Sequence, residues 1–241
     1  MHRSFFGLGL VLLAAACGND SSGPGAGFEC LGAALPTTAP ATITVSGQTK
    51  QNALAQTALS GAVVVASRTG TDTLAADTSD TPGFYSLSIA SGGTPVDGFI
   101  RVTKSGFLPT YAYPSRPLAA NLTNNNVLAI TSIEFGILAT AVDESQTAGN
   151  GFIGVVVKDC TGTPLAGATV QTNPPGADPV HYNLAGAPSS TATATAADGV
   201  AYVFNVPAGN VTVMATAGGH TLRQHVVNAR ADVITLTEIQ P

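Results

Sequence analysis

From residue 41 to the carboxyl end, apolar positions mostly alternate with polar ones rather than recurring at helical spacing. Phe84, Ser86 and Ser88 interleave with Tyr85, Leu87 and Ile89, the pattern of a half-buried strand. Val211, Val213 and Ala215 fall on one face of a later strand, and Tyr202, Phe204 and Val206 are expected to share a face in the strand before it. Turn chemistry separates these runs. Asp80-Thr81-Pro82-Gly83 and Asp198-Gly199 each place an aspartate that bonds its own backbone ahead of a glycine that accepts positive φ, and Val206-Pro207-Ala208-Gly209 is a further tight turn. One stretch departs from alternation. Ile133, Ile137 and Val142, with Phe135 and Leu138, predict a short helix with Ser132 as N-cap, packed at a domain junction and followed by a loop over 143–151.

The pattern runs twice. Leu59-Ser60-Gly61-Ala62-Val63-Val64-Val65 corresponds to Leu165-Ala166-Gly167-Ala168-Thr169-Val170. The run from Thr78 to Ile89 corresponds to that from Thr195 to Val206, and Gly98–Thr103 to Gly209–Met214. The second copy reads Gly154-Val155-Val156-Val157-Lys158-Asp159-Cys160-Thr161-Gly162-Thr163-Pro164-Leu165-Ala166-Gly167-Ala168-Thr169-Val170, then Asp198-Gly199, then Val206-Pro207-Ala208-Gly209. These residues resemble the carboxypeptidase regulatory-like family, which implies a transthyretin-like β-sandwich over 150–241. The first copy matches less closely, with a longer loop from Gly47 to Ser60 and Thr81-Pro82 interrupting its Asp-Gly turn. The resemblance speaks to fold. Such modules serve as stalks, binding modules and appendages of enzymes.

The amino end carries a different signal. Arg3 precedes an apolar run from Phe5 through Ala16, about a dozen residues and about 18 Å as a helix, too short for the ~30 Å hydrocarbon core. Leu13-Ala14-Ala15-Ala16-Cys17 resembles the lipobox of bacterial lipoproteins, with Ala14 where that family prefers a larger aliphatic. The resemblance implies cleavage before Cys17 and acylation of that residue, which would anchor the chain to a membrane by its lipid. By analogy with the sorting rule of that family, Gly18 where a retention signal would favour aspartate implies the outer rather than the inner membrane, if the organism has one. Residues 18–27 read as a flexible tether. In the oxidising compartment that an exported protein occupies, the two remaining thiols, Cys30 and Cys160, are expected to pair, the alternative being two buried free thiols.

Composition narrows the function. Charged residues make up 10% of the chain, against roughly 25% in an average soluble protein, and the net charge is −5 with no Lys/Arg run. Nucleic-acid binding is therefore excluded, and partners are expected to be neutral or cationic, or to be contacted through polar and apolar groups. No Gly-x-Ser-x-Gly elbow, phosphate loop or CxxC pair occurs. Tyr111, Tyr113, His220 and His225 are the ligand types of an intradiol-dioxygenase-like iron site, but without that family's His-x-His spacing. His220 and His225 would face opposite sides of a single strand. Neither a metal nor another cofactor is expected.

The segment from Gly106 to Leu118 is the candidate binding surface. Phe107, Tyr111, Tyr113 and Arg116 combine rings, a cation and stiffening prolines. His181-Tyr182-Asn183 is a weaker candidate. Together these readings predict an all-β protein: a signal peptide (1–16), a lipidated flexible tether (17–40), a first β-sandwich (41–130), a short helix and linker (131–149) and a second sandwich (150–241), the two sandwiches transthyretin-like or immunoglobulin-like and in tandem. The expected role is a non-enzymatic cell-envelope lipoprotein, a surface binding or spacer module with a protein or glycan partner. The alternatives are a carbohydrate-binding module that stacks sugars on Tyr111 and Tyr113, and a metalloenzyme.

Overall fold

The computed structural model describes residues 25–241, so the leader, Cys17 and its lipidation lie outside the described residues. The first half forms β1 (Thr42–Gln51), β2 (Thr57–Ala58), β3 (Val63–Ser67), β4 (Ala75–Thr78), β5 (Phe84–Ala90), β6 (Phe99–Thr103), β7 (Thr110–Tyr113) and β8 (Val127–Leu128). After the helix α1 (Ser132–Ala141) come β9 (Gly151–Val157), β10 (Thr169–Asn173), β11 (Val180–Leu184), β12 (Ala187–Ser189), β13 (Val200–Val206), β14 (Gly209–Ala217), β15 (His220–Thr221), β16 (His225–Ala229) and β17 (Ile234–Ile239). The fold class is all-β, as the alternating pattern predicts. The stretch from Gly47 to Ser60, read as a long loop, instead continues β1 to Gln51 and contains β2.

The strand pairings repeat between the halves. β1 pairs antiparallel with β5 and parallel with β8; β9 pairs antiparallel with β13 and parallel with β17. β6 lies antiparallel to β3 and β7; β14 lies antiparallel to β10 and β16. The halves differ in which of their two sheets is extended. β17 pairs with β7 as well as with β9, and this fuses one sheet from each half into nine strands ordered β12-β11-β13-β9-β17-β7-β6-β3-β4.

Side chains alternate across a sheet, so residues in register share a face. Ile153, Val155, Ala201 and Val203 bury one face of the nine-stranded sheet against Val170, Val211, Val213, Ala215 and Val227 of β10, β14 and β16. At the other end, Val64, Ala66, Ile100 and Val102 bury the opposite face against Ile43, Val45, Tyr85, Leu87 and Ile89 of β1 and β5. The two four-stranded sheets thus cover opposite faces of the shared sheet. Fully burying each Val, Leu or Ile among them contributes about 1.5–3 kcal/mol.

The helix covers what the second four-stranded sheet does not. Phe135 meets Phe152 at 5.1 Å and Phe204 at 5.9 Å, with Ile130, Ala139, Val142 and Ile234 around them. Three expectations are corrected by the structure. The N-cap is Thr131 rather than Ser132: Thr131 Oγ1 accepts from the Glu134 N–H, and the Thr131 N–H donates to Glu134 Oε2 at 2.8 Å, a reciprocal capping box. Ile133 and Ile137 point to solvent, 77% and 64% exposed, because the helix turns its Phe135–Ala139 stripe onto the sheet. Val206 also leaves the face of Tyr202 and Phe204. A bulge between Val203 and Val206, with Asn205 at φ 50°, adds one residue and returns Val206 to the side of Val203.

The amino-terminal segment is fixed on the second half before the chain enters the first. Cys30 and Cys160 form a disulfide with Cα atoms 5.7 Å apart. Phe28 is buried in the second core and lies 4.9 Å from the His220 ring. The Cys160 N–H donates to the Gly27 carbonyl at 2.9 Å.

Two glycines test this packing in opposite directions. A Cβ on Gly47 would stand 2.1 Å from the Asn125 carbonyl oxygen, whereas one on Gly136, in α1, meets nothing within 4 Å. Urea unfolding of Gly47→Ala is expected to show a loss of about 1–3 kcal/mol from overpacking. Gly136→Ala is expected to gain about 0.8–1 kcal/mol from helix propensity.

Candidate functional site

β7 reads Thr-Tyr-Ala-Tyr, and its alternation places Tyr111 and Tyr113 on the face that carries the second core. Phe99 of β6 shares that face and lies 5.1 Å from each ring, tilted 48° and 43°. Arg230, just beyond β16, closes the group. Its guanidinium carbon lies 4.0 Å over Tyr111 and 4.8 Å over Phe99, and Nη1 donates to the Tyr113 hydroxyl at 2.9 Å and the Asn228 carbonyl at 2.8 Å. A desolvated guanidinium over aromatic faces contributes about 0.5–2 kcal/mol. His225 stands edge-on to Tyr113 at 6.2 Å, with Nδ1 2.8 Å from Thr237 Oγ1.

The four residues expected to form one binding surface are therefore not brought together. Tyr113 is buried at 9% exposure, and Tyr111 is half-buried beneath Arg230. Phe107 packs against the first core, on the opposite face of the shared sheet, and Arg116 is exposed in the loop after β7. No pair of coplanar exposed rings results, which removes the geometry that sugar stacking on Tyr111 and Tyr113 requires. Arg230 was not anticipated. Its local sequence, Asn228-Ala229-Arg230, carries no motif, and only the scarcity of cations in the chain could have drawn notice to it.

The other candidates are also taken up by structure. His181 is buried with Nε2 2.8 Å from Glu144 Oε1, tying β11 to the loop after α1. The Tyr182 hydroxyl accepts from the Val170 N–H at 3.0 Å. Asn183 accepts from the Tyr202 hydroxyl at 2.9 Å and donates to Asp198 at 2.7 Å; burial pushes the Tyr202 phenol up to about 12. A groove of about 490 Å³ runs between β10 and the β11–β12 hairpin, lined by Thr169, His181, Thr191 and Thr193. His220 and His225 lie on separate strands rather than one, His220 against Phe28 and His225 against Tyr113. Among the described residues no three His, Cys, Asp or Glu side chains gather as metal ligands, and the Tyr113 hydroxyl is taken by Arg230.

Fold and site together define a disulfide-bonded all-β module. No family model matches the chain, and no curated protein does. Among solved structures it is similar to the Bacillus anthracis TIE protein (13% identity, TM-score 0.26, 81% of this chain and 33% of that one). It is also similar to a double mutant of the shaft pilin SpaA from Lactobacillus rhamnosus GG (13%, 0.26, 85% and 98%), and to BcpA, the major pilin subunit of Bacillus cereus (9%, 0.26, 83% and 99%). The chain spans a third of the TIE protein's length. Likeness at this level shows neither function nor partner.

Burial beside Tyr113 lowers the His225 pKa below the usual 6.5, with Asp97 acting weakly in the opposite sense. The unfolded chain therefore takes up the proton first, and His225's contribution to stability, present above pH 6.5, is lost as pH falls through the folded value. Ring-proton NMR should show His225 titrating below pH 6.5, and His225→Phe should flatten the acid side of the stability profile. A His225 midpoint at or above 6.5 would contradict the placement.

Proposed function

We propose that this chain is a lipid-anchored protein of the bacterial cell envelope whose body is a non-enzymatic surface module, binding a partner or holding one at a distance. In this reading residues 1–16 are removed, Cys17 carries the lipid in the outer membrane, and two sandwiches over 41–130 and 150–241 follow a short tether. The repeated strand pairings support the two-sandwich division, and the quoted glycine, proline and valine positions support a carboxypeptidase regulatory-like second half.

The observation that carries the proposal is the Cys30–Cys160 bridge. Disulfides persist in oxidising compartments, so a structural bridge points to export, which a leader ending in a lipobox-like cysteine would direct. Phe28, eleven residues beyond Cys17, is already buried in the body. At about 3.5 Å per extended residue, eleven residues reach at most about 40 Å. The body therefore works close to the membrane, and any spacing comes from the length of the fused sheet rather than from the leash.

Fractionation of cells expressing the chain tests this reading. The wild type is expected in the detergent phase with an acylated Cys17 as its first residue, and Cys17→Ser in the aqueous phase. Mass spectrometry showing an unmodified Cys17, or membrane retention of the variant, would refute it.

A further inference from the structure

Two arginines converge on Tyr111. Arg101 stands opposite Tyr111 in the β6–β7 ladder, and the guanidinium of Arg230 lies 4.0 Å over the same ring. Neither is ion-paired: among the described residues the ion pairs are Lys158–Glu238 and His181–Glu144. Neither acid nearby bonds these arginines. Asp72 turns its carboxylate onto Ser67 Oγ and the N–H groups of Arg68 and Thr69, in a turn whose Gly70 lies against Phe99 and Arg230. Asp97 is exposed just before β6 and bonds neither arginine.

A second observation falls at the same place. Two buried side-chain polar atoms among the described residues lack a hydrogen-bond partner, Arg101 Nε and Thr235 Oγ1. Both belong to the register row of Tyr111, Arg101 on β6 at one side and Thr235 on β17 at the other. Buried donors are almost always satisfied, so a row with an orphan at each side of one ring is incomplete as it stands. The row lies where the second four-stranded sheet stops. On β3 the row continues to Val65, which is buried, and the same face opens at Val63, 45% exposed and paired with Thr103; both arginines are only half-buried.

We infer that this corner between the halves binds an oxyanion, a carboxylate or phosphate group of a partner molecule, held by Arg101 and Arg230 beside Tyr111. Guanidinium groups match the two-oxygen edge of such anions. Recognition is by charge, because Arg230 already occupies the Tyr111 face. The net charge of −5 leads one to expect neutral or cationic partners, so this would be a local exception built from residues far apart in sequence. The inference deepens the reading of the body as a binding module and is independent of the anchor.

The test uses the full chain with Cys17→Ser, titrated with inorganic phosphate and separately with acetate at constant ionic strength. Arginine Nε–Hε NMR signals report binding. Two signals are expected to shift saturably, with an apparent dissociation constant of about 1 mM. Binding should weaken at least tenfold in Arg101→Gln and in Arg230→Gln, and be unchanged in Arg223→Gln, whose side chain bonds the Ala33 carbonyl elsewhere. A response to phosphate alone identifies a phosphate ligand; a response to acetate as well identifies carboxylates. Non-saturating shifts, or equal loss in the Arg223 variant, would overturn the site. Should Arg230→Gln fail to fold, Arg101→Gln decides, since the Arg101 side chain holds no described residue by hydrogen bond. Failure of the anchor would appear in fractionation and leave this titration untouched.

Discussion

The arrangement depends on the two parallel ladders of β17. Without that strand, each half would present an unpaired sheet edge, β7 on one side and β9 on the other, with its N–H and C=O groups exposed. β17 satisfies both, with six registered pairs on β9 and four on β7. A strand paired on both edges and packed on both faces has few exposed atoms. Ile234, Thr235, Thr237 and Ile239 are accordingly buried, though two of them are polar. Threonine suits the place as a β-branched residue, and Thr237 meets His225 while Thr235 is left with an orphan hydroxyl.

The covering of opposite faces follows from that stitch. The sheet of β3, β6 and β7 in the first copy joins the sheet of β9, β13 and β17 in the second, and these are not the equivalent sheets of the repeat. Each copy then closes with its remaining sheet from its own side. The step between the two covers leaves a corner over β6 and β7, where Phe99, Arg101, Tyr111 and Arg230 gather. Half-burial there makes an uncompensated cation tolerable, since rings take one guanidinium and solvent reaches the other.

The fold was legible to a useful depth. Tyr85, Leu87 and Ile89 are buried and their neighbours exposed, as their alternation requires, and Asp80 and Asp198 bond the N–H groups of Phe84 and Val200 beyond their turn glycines. The misreadings have local causes. Thr131 and Ser132 are both good caps, and only the position of Glu134 relative to each decides between them. The bulge at Asn205 depends on a left-handed residue that periodicity does not reveal. The Phe107–Arg116 segment was visible as unusual, yet its rings serve the cores, because alternation says which side chains share a face but not whether another sheet covers it.

The chain by itself determined the strand class, the repeat and the turn positions, because each rests on contacts or propensities local in sequence; the pairing of Cys30 with Cys160 was an expectation that the structure settles. Which sheet of each copy is extended, which face each cover takes and which arginine lies over Tyr111 were decided only by tertiary structure. Those outcomes rest on β17, which begins about 190 residues after β1, choosing two edges, and no local pattern encodes the partner of a strand's second edge.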